Sequence, residues 1–224
     1  MFILLDVRSL WRTIDRVLLR DIALVCVADG VVGASFGAIA VSGGQAPWVP
    51  VTMSLLVFAG GAQFAALGVV LAGGNPFAAV AAGLVLNARH LPFGFAVADV
   101  LGSRLPIRLL GAHVLLDESV AFALAQRDHA RRRVAFWTCG VLLFVVWNTG
   151  VLLGVFAGRL IGDPSALGLD AASPVVLLAL VLPSLRDAGT LRAALVGGVI
   201  ALATTPFLPP GVPVALALVG LVAA

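Results

Sequence analysis

From Val31 through Ala88 the chain carries no Asp, Glu, Lys or Arg. A water-soluble domain has about a quarter of its residues charged, whereas a helix that spans a membrane needs about 20 consecutive, mostly apolar residues. The stretches from Val134 to Gly158 and from Ala193 to Ala224 are equally free of charge. Each run is long enough for one to three spans, and with 61% apolar residues, 11% charged and a mean hydropathy of +1.13 nothing is left over for a separate soluble domain. The expected fold is therefore all-α, a polytopic transmembrane helical bundle. Charges and turn residues place candidate spans at about 22–43, 50–72, 76–101, 108–126, 134–158, 173–186, 190–207 and 211–224, which makes about 7–8 membrane segments.

Basic residues supply the orientation. All fourteen are Arg, and most fall in short clusters between apolar runs: Arg8, Arg12, Arg16 and Arg20, then Arg127 and Arg131 to Arg133, then Arg186 and Arg192. Loop arginines of this kind orient a membrane protein with its basic loops in the cytoplasm. They are not the patch of a nucleic-acid binder. With eight crossings the N-terminus is cytoplasmic, and Arg104, Arg108 and Arg159 are left on the far side. Residues 1–20, with Leu10, Ile14, Val17 and Leu18 among arginines, read as an amphipathic segment on the inner surface, and residues 21–224 as the transmembrane domain. The N-terminus lacks the small-residue cleavage site of a secretory signal. Cys26 and Cys139 lie in apolar runs with no Cys or His at ligand spacing, so neither a metal site nor another cofactor is expected.

Chemistry concentrates in the third span, at Leu86-Asn87-Ala88-Arg89-His90-Leu91-Pro92. Pro92 has no N–H and its ring clashes with the carbonyl four residues back, so a Pro-broken helix near residues 87–92 is expected, with the Ala88 C=O freed. Helices broken at mid-membrane are where carriers bind small charged substrates. An Arg at the centre of a span costs roughly 2.5–3.5 kcal/mol on insertion scales and needs an anion or water. Asn87 and His90 share a face three residues apart, and His90 is open to both a structural and a proton-carrying role.

The fourth span supplies the acids, Asp117 and Glu118, with His113 four residues earlier on the same helical face. Two adjacent carboxylates in apolar surroundings cannot both stay ionised without partners. One would neutralise Arg89 and the other carry a proton; Asp117 is assigned the first role and Glu118 the second. Asp29 in the first span is either an interfacial cap or an anion for a substrate ammonium. Gln63 is either a substrate hydrogen-bonder or glue between helices. The small-residue series Gly33/Gly37 and Gly150/Gly154/Gly158 allow close helix approach, and the second of these is a candidate face for a partner subunit.

In order along the chain, SFGAIA with SLLVFAGGAQFAALGVVLAGG, then VLNARHLPFGF, then LLDESVAFAL resemble the AzlC family of branched-chain amino acid permeases. The resemblance implies the large subunit of a two-component exporter of leucine, isoleucine, valine and methionine, multi-pass in the bacterial inner membrane and paired with a small AzlD-type membrane subunit. It implies no enzymatic activity. Matching motif positions are Gly60, Gln63, Asn87, Arg89, His90, Asp117 and Glu118, while Leu91-Pro92 departs from the family pattern. Together these readings place a zwitterionic amino acid at the break, its carboxylate toward Arg89 or free backbone N–H groups, its ammonium toward Asp117, Glu118 or Asp29, and its side chain among Phe64, Phe93 and Phe95. Rival readings are a channel or scaffold subunit without coupled transport, and a membrane-embedded enzyme. A higher oligomer stays open.

Overall fold

The computed structural model describes residues 16–160, 182, 184–208 and 212–223. The amphipathic reading of 1–20 falls outside them except for its last residues, as does most of the candidate span 173–186. Every regular element among the described residues is helical: α1 (Arg16–Ser42), α2 (Trp48–Leu56), α3 (Gly60–Leu71), α4 (Pro76–Asn87), α5 (His90–Ala96), α6 (Leu105–His113), α7 (Asp117–Leu124), α8 (His129–Leu160), α9 (Ala188–Thr204) and α10 (Val212–Leu216), with 3₁₀ turns at Ser184–Arg186 and Ala217–Ala223.

The frame is the pair α1 and α8, both long and apolar enough to cross a membrane. Glycine explains how closely they pack. A Cβ on Gly30 would meet the Val146 side chain at 2.6 Å, one on Gly33 the Trp147 carbonyl at 2.8 Å, and one on Gly158 the Ala38 carbonyl at 2.9 Å. Gly150 and Gly154 lie directly against the backbone of Gly30 and Ala34. Partner numbers rise together along both helices, so α1 and α8 run parallel. Gly150, Gly154 and Gly158 are thus occupied by α1 of the same chain, which corrects their assignment to a partner-subunit face. With no Cβ in the way, backbones close up and dispersion contacts hold the seam without polar groups.

The second and fourth segments turn back half-way along this pair. Helix α2 runs half-way along α8, where Ser54 Oγ donates to Asn148 Oδ1 at 2.7 Å, and the chain then turns at Val57–Ala59. Helix α3 returns to the end it came from: a Cβ on Gly43 would sit 2.6 Å from the Leu71 side chain. Gln63, one turn past the bend, locks it by donating its amide to the Met53 carbonyl at 3.1 Å. Helices α6 and α7 make the same hairpin from the opposite end. Gly111 faces Trp137, Gly140 faces Val114, and a short loop carries α7 back to the start of α8. The Ser119 hydroxyl closes this tip, accepting from Leu116 N–H at 2.9 Å.

The two hairpins correspond position for position through the first arm and the bend, although the return helices differ in length, 12 residues against 8. Their first arms, Trp48–Leu56 and Leu105–His113, are both 9 residues long. Each bend ends on an extended residue, Ala59 (φ −149°, ψ 94°) and Leu116 (φ −131°, ψ 167°), and the return helices start at the equivalent residues Gly60 and Asp117. Each hairpin is followed by a segment that runs on to the other end of the α1–α8 pair, α4–α5 after the first and α8 after the second. The halves are therefore related by inversion, a repeat that side-chain chemistry hides because GGAQF and DESVA share almost no residue type.

Helix α4 packs along α3, breaks at Ala88–Arg89, and continues as α5 to the end where α8 begins. There Arg132 donates to the Ala96 carbonyl at 3.0 Å and pairs with Asp99 at 3.2 Å. The break is as expected, with one correction: the Ala88 carbonyl is not free, since it accepts from Leu91 N–H at 3.1 Å in a tighter turn. Arg104 and Arg108 are corrected too. Because both hairpins turn back, the start of α6 lies at the same end as Arg16, Arg20 and Arg131 to Arg133, with Gly102 beside the Arg133 guanidinium. The opposite end keeps Arg159 among the described residues.

Candidate functional site

Both hairpin tips and the break of α4–α5 meet half-way along α1 and α8 and enclose a cavity of about 470 Å³, within the range of small-molecule sites. Its walls come from Asp29 and Val32 of α1, Phe58 to Gly61 at one tip, Leu116, Asp117 and Glu118 at the other, Leu86 and Arg89 at the break, and Leu143 and Trp147 of α8. Backbone that has left the helical ladder is thus concentrated where it lines a hollow, one of the two settings, with burial inside protein, in which a membrane interior tolerates it.

Arg89 reaches Asp117 with an N–O distance of 2.6 Å, both side chains remaining partly open at 47% and 38% exposure. The pair therefore faces the cavity and is not sealed in a dry core. Glu118 and Asp29 line the same space. Three carboxylates stand against one guanidinium, so two formal negative charges are in excess, and a proton, a cation or an ammonium group must balance them in a low-dielectric setting. Asp29 sits in mid-helix and faces the cavity, so it is not an end cap.

The positive features are Arg89 and the first turn of α3. Ala59 gives that helix no side-chain cap, so the N–H groups of Gly60 and Gly61 keep their hydrogen-bonding capacity and the helix end carries partial positive charge. Glycine is required here for space: a Cβ on Gly60 would stand 2.8 Å from the Trp147 ring, and one on Gly61 3.1 Å from Leu86. Phe58, at the tip, holds φ +35°, a strained value for a bulky residue. It is kept there by contact with the rings of His113 (5.9 Å) and Phe144 (5.0 Å).

Of the residues singled out in the sequence, Asp29, Arg89, Asp117 and Glu118 come together. Gln63, Asn87 and His90 do not line the cavity. Gln63 is fully buried and bridges its hairpin, with Oε1 unpartnered. Asn87 and His90 flank the break, each with one buried side-chain atom lacking a partner, Oδ1 and Nε2. His113 is separated from Asp117 by the bend at 114–116, which abolishes the one-turn relation expected of a continuous helix; its ring packs on Phe58 and Phe144 instead. The three phenylalanines placed around a substrate side chain lie elsewhere. Phe64 is in the core against Phe36, Phe93 packs on His90 and against the buried cluster around Val97, Val100 and Phe136, and Phe95 is 83% exposed. The real apolar wall, Val32, Phe58, Leu143 and Trp147, was missed. Only Phe58-Ala59-Gly60-Gly61 had a signal, a Gly pair after an aromatic residue inside an apolar run.

Residues 25–161, which hold every wall of the cavity, match the family model described as AzlC protein. The chain belongs to the AzlC family. A relative from Archaeoglobus fulgidus, described as an uncharacterized membrane protein, is 32% identical over 173 residues, 75% of this chain and 74% of that protein. No solved structure matches. The chain is accordingly an AzlC-family membrane protein, and the cavity lies within the part that defines the family.

Proposed function

We propose that the chain is the large subunit of a secondary transporter that exports branched-chain amino acids, leucine, isoleucine and valine with methionine, in exchange for protons. The observation that carries this reading is the cavity: two half-length hairpins entering from opposite ends and one broken crossing helix place Arg89, a bare helix N-terminus and three carboxylates around one space. Such an arrangement, with hairpin-plus-crossing units related by inversion, is how carriers alternate access to a central site. The substrate carboxylate would face the Gly60 and Gly61 N–H groups beside Arg89, and its ammonium would take one of the two uncompensated negative charges. A proton would take the other.

Arg16, Arg20, Arg104, Arg108 and the Arg127–Arg133 cluster at one end, against Arg159 at the other, support a cytoplasmic N-terminus in the bacterial inner membrane. On this reading the segments number about eight, two of them re-entrant and one mostly beyond the described residues. A small AzlD-type membrane subunit completes the complex.

The test is efflux of labelled leucine, isoleucine and valine from cells or vesicles holding the chain with and without a small membrane subunit, at imposed proton gradients. Gradient-dependent efflux that needs both chains is the expected result. Flux indifferent to the gradient would convert the carrier into a channel, and none with both chains present would refute the reading.

A further inference from the structure

The cavity has an apolar side as well as a charged one. Charge comes from the break at Arg89 and the tip at Asp117–Glu118, with Asp29 at one corner. The apolar side is Phe58 at the first hairpin tip and, facing it, Val32 on α1, one turn beyond Asp29, with Leu143 and Trp147 on α8, one turn apart on a single face.

The wall of α1 and α8 cannot yield. Its two backbones are fixed against each other by glycine contacts at the level of the cavity and over the turns beyond it: Gly30 on Val146, Gly37 on Val151 and Val155, Gly154 on Ala34. The Trp147 ring is trapped as well, since a Cβ on Gly33 would come within 3.3 Å of one side of it and a Cβ on Gly60 within 2.8 Å of another. Leu143 is 2% exposed and belongs to the same core cluster as Trp147 and Phe36. With helix separation fixed and the indole immobile, the depth between the Gly60–Gly61 N–H groups and the far wall depends on two side chains that could be otherwise, Val32 and Leu143.

We infer that Val32 and Leu143 set the size of the substrate side chain, with Trp147 as the rigid back of the pocket; this rests on the amino-acid reading above and specifies its selectivity. An aliphatic side chain, γ-branched leucine included, fits before such a surface, and the larger benzyl group meets Leu143. One methylene more or less in an apolar pocket changes relative rates by about 10–200-fold, so single substitutions at these two positions have a readable effect, and of opposite sign.

The experiment compares export of alanine, leucine and phenylalanine by the complete chain with its small subunit, in wild type, Leu143→Ala and Val32→Leu. In Leu143→Ala the phenylalanine-to-leucine ratio rises at least about tenfold, and in Val32→Leu the leucine-to-alanine ratio falls by at least about the same factor. Should the cavity left by Leu143→Ala prevent folding, Val32→Leu, which adds rather than removes volume at a partly open position, decides alone. Wild type that exports leucine while neither ratio moves overturns the assignment of the wall and leaves the transporter reading intact. Wild type that exports no amino acid overturns both.

Discussion

Substituting Gly154 by Ala tests the α1–α8 seam on which the cavity depends. In an ordinary helix interior this change is favourable by about 1 kcal/mol, because Ala restricts the unfolded chain and gives up no packing. At position 154 the new methyl overlaps the Ala34 carbonyl oxygen, with the Ala34 carbonyl carbon and Cα behind it. Those are backbone atoms and no rotamer moves them, so the helices must separate and loosen contacts over several turns. Overpacking a tight core costs typically about 1–3 kcal/mol, and a backbone obstacle puts this site at the upper end. The net loss is about 2 kcal/mol, or roughly 30-fold in the folding equilibrium. Gly68→Ala is the matched control, since nothing lies within 4 Å of its Cβ position. Unfolding of both variants in detergent, followed by size exclusion and thermal melts, should give shifts of opposite sign. Equal behaviour of the two would refute the close parallel packing.

Cysteines introduced at Arg104 and at Arg131 should label from the same side of the membrane, and one at Gly73, in the loop after the first hairpin, from the opposite side; labelling of positions 104 and 131 from different faces would sink the re-entrant arrangement of α6–α7. Phe58→Gly removes a strained φ but also the rings' contact, so the tip should become more protease-sensitive while thermal stability falls by less than the ~3–5 kcal/mol of an ordinary core Phe truncation. Arg89→Ala should abolish transport, whereas Arg192→Ala, whose one polar contact among the described residues is the Ala188 carbonyl of its own helix at 3.3 Å, should leave it near wild type.

Hydropathy carried the all-helical class and the approximate position of every segment among the described residues. It could not distinguish a crossing helix from a hairpin. Segments 50–72 and 108–126 have a length and apolarity that suit either, and the difference lies in two bends of three residues with no proline in them. The one break that was legible, at 87–92, announced itself through a proline and a charge together. Asp29, Arg89, Asp117 and Glu118 were legible for the same reason: ionised groups are rare where lipid is near, and each needs a cause. Val32, Leu143 and Trp147 were not, because an apolar residue facing a cavity is indistinguishable in sequence from one facing a neighbouring helix. His113 shows the converse. Spacing of one turn to Asp117 is meaningful only if the helix continues, and Val114–Leu116 ends it.

The two adjacent acids stand in unlike places, and this separates what each does in the exchange proposed above. Asp117 is held by Arg89 at 2.6 Å. A carboxylate so paired keeps its charge through a cycle unless the pair is pulled apart. Glu118, next to it on the return helix, lines the cavity with no ion-pair partner among the described residues, so its charge is free to change as substrate and proton come and go. Glu118→Gln fixes that position as neutral. It should stop efflux driven by a proton gradient yet allow exchange of labelled for unlabelled substrate, since exchange moves no net proton. Asp117→Asn instead leaves Arg89 without its anion. Breaking a fully buried pair costs about 3–5 kcal/mol, but here both partners are partly open to the cavity, so a loss closer to the ~1 kcal/mol of exposed pairs is expected. The fold should therefore survive and substrate affinity change, because an unpaired guanidinium beside Gly61 competes for the substrate carboxylate. Vesicle exchange and gradient-driven efflux measured on both variants decide the matter. If Glu118→Gln keeps gradient-driven efflux with unaltered pH dependence, the proton travels by another group, and Asp29, the remaining uncompensated acid of the cavity, becomes the residue to change.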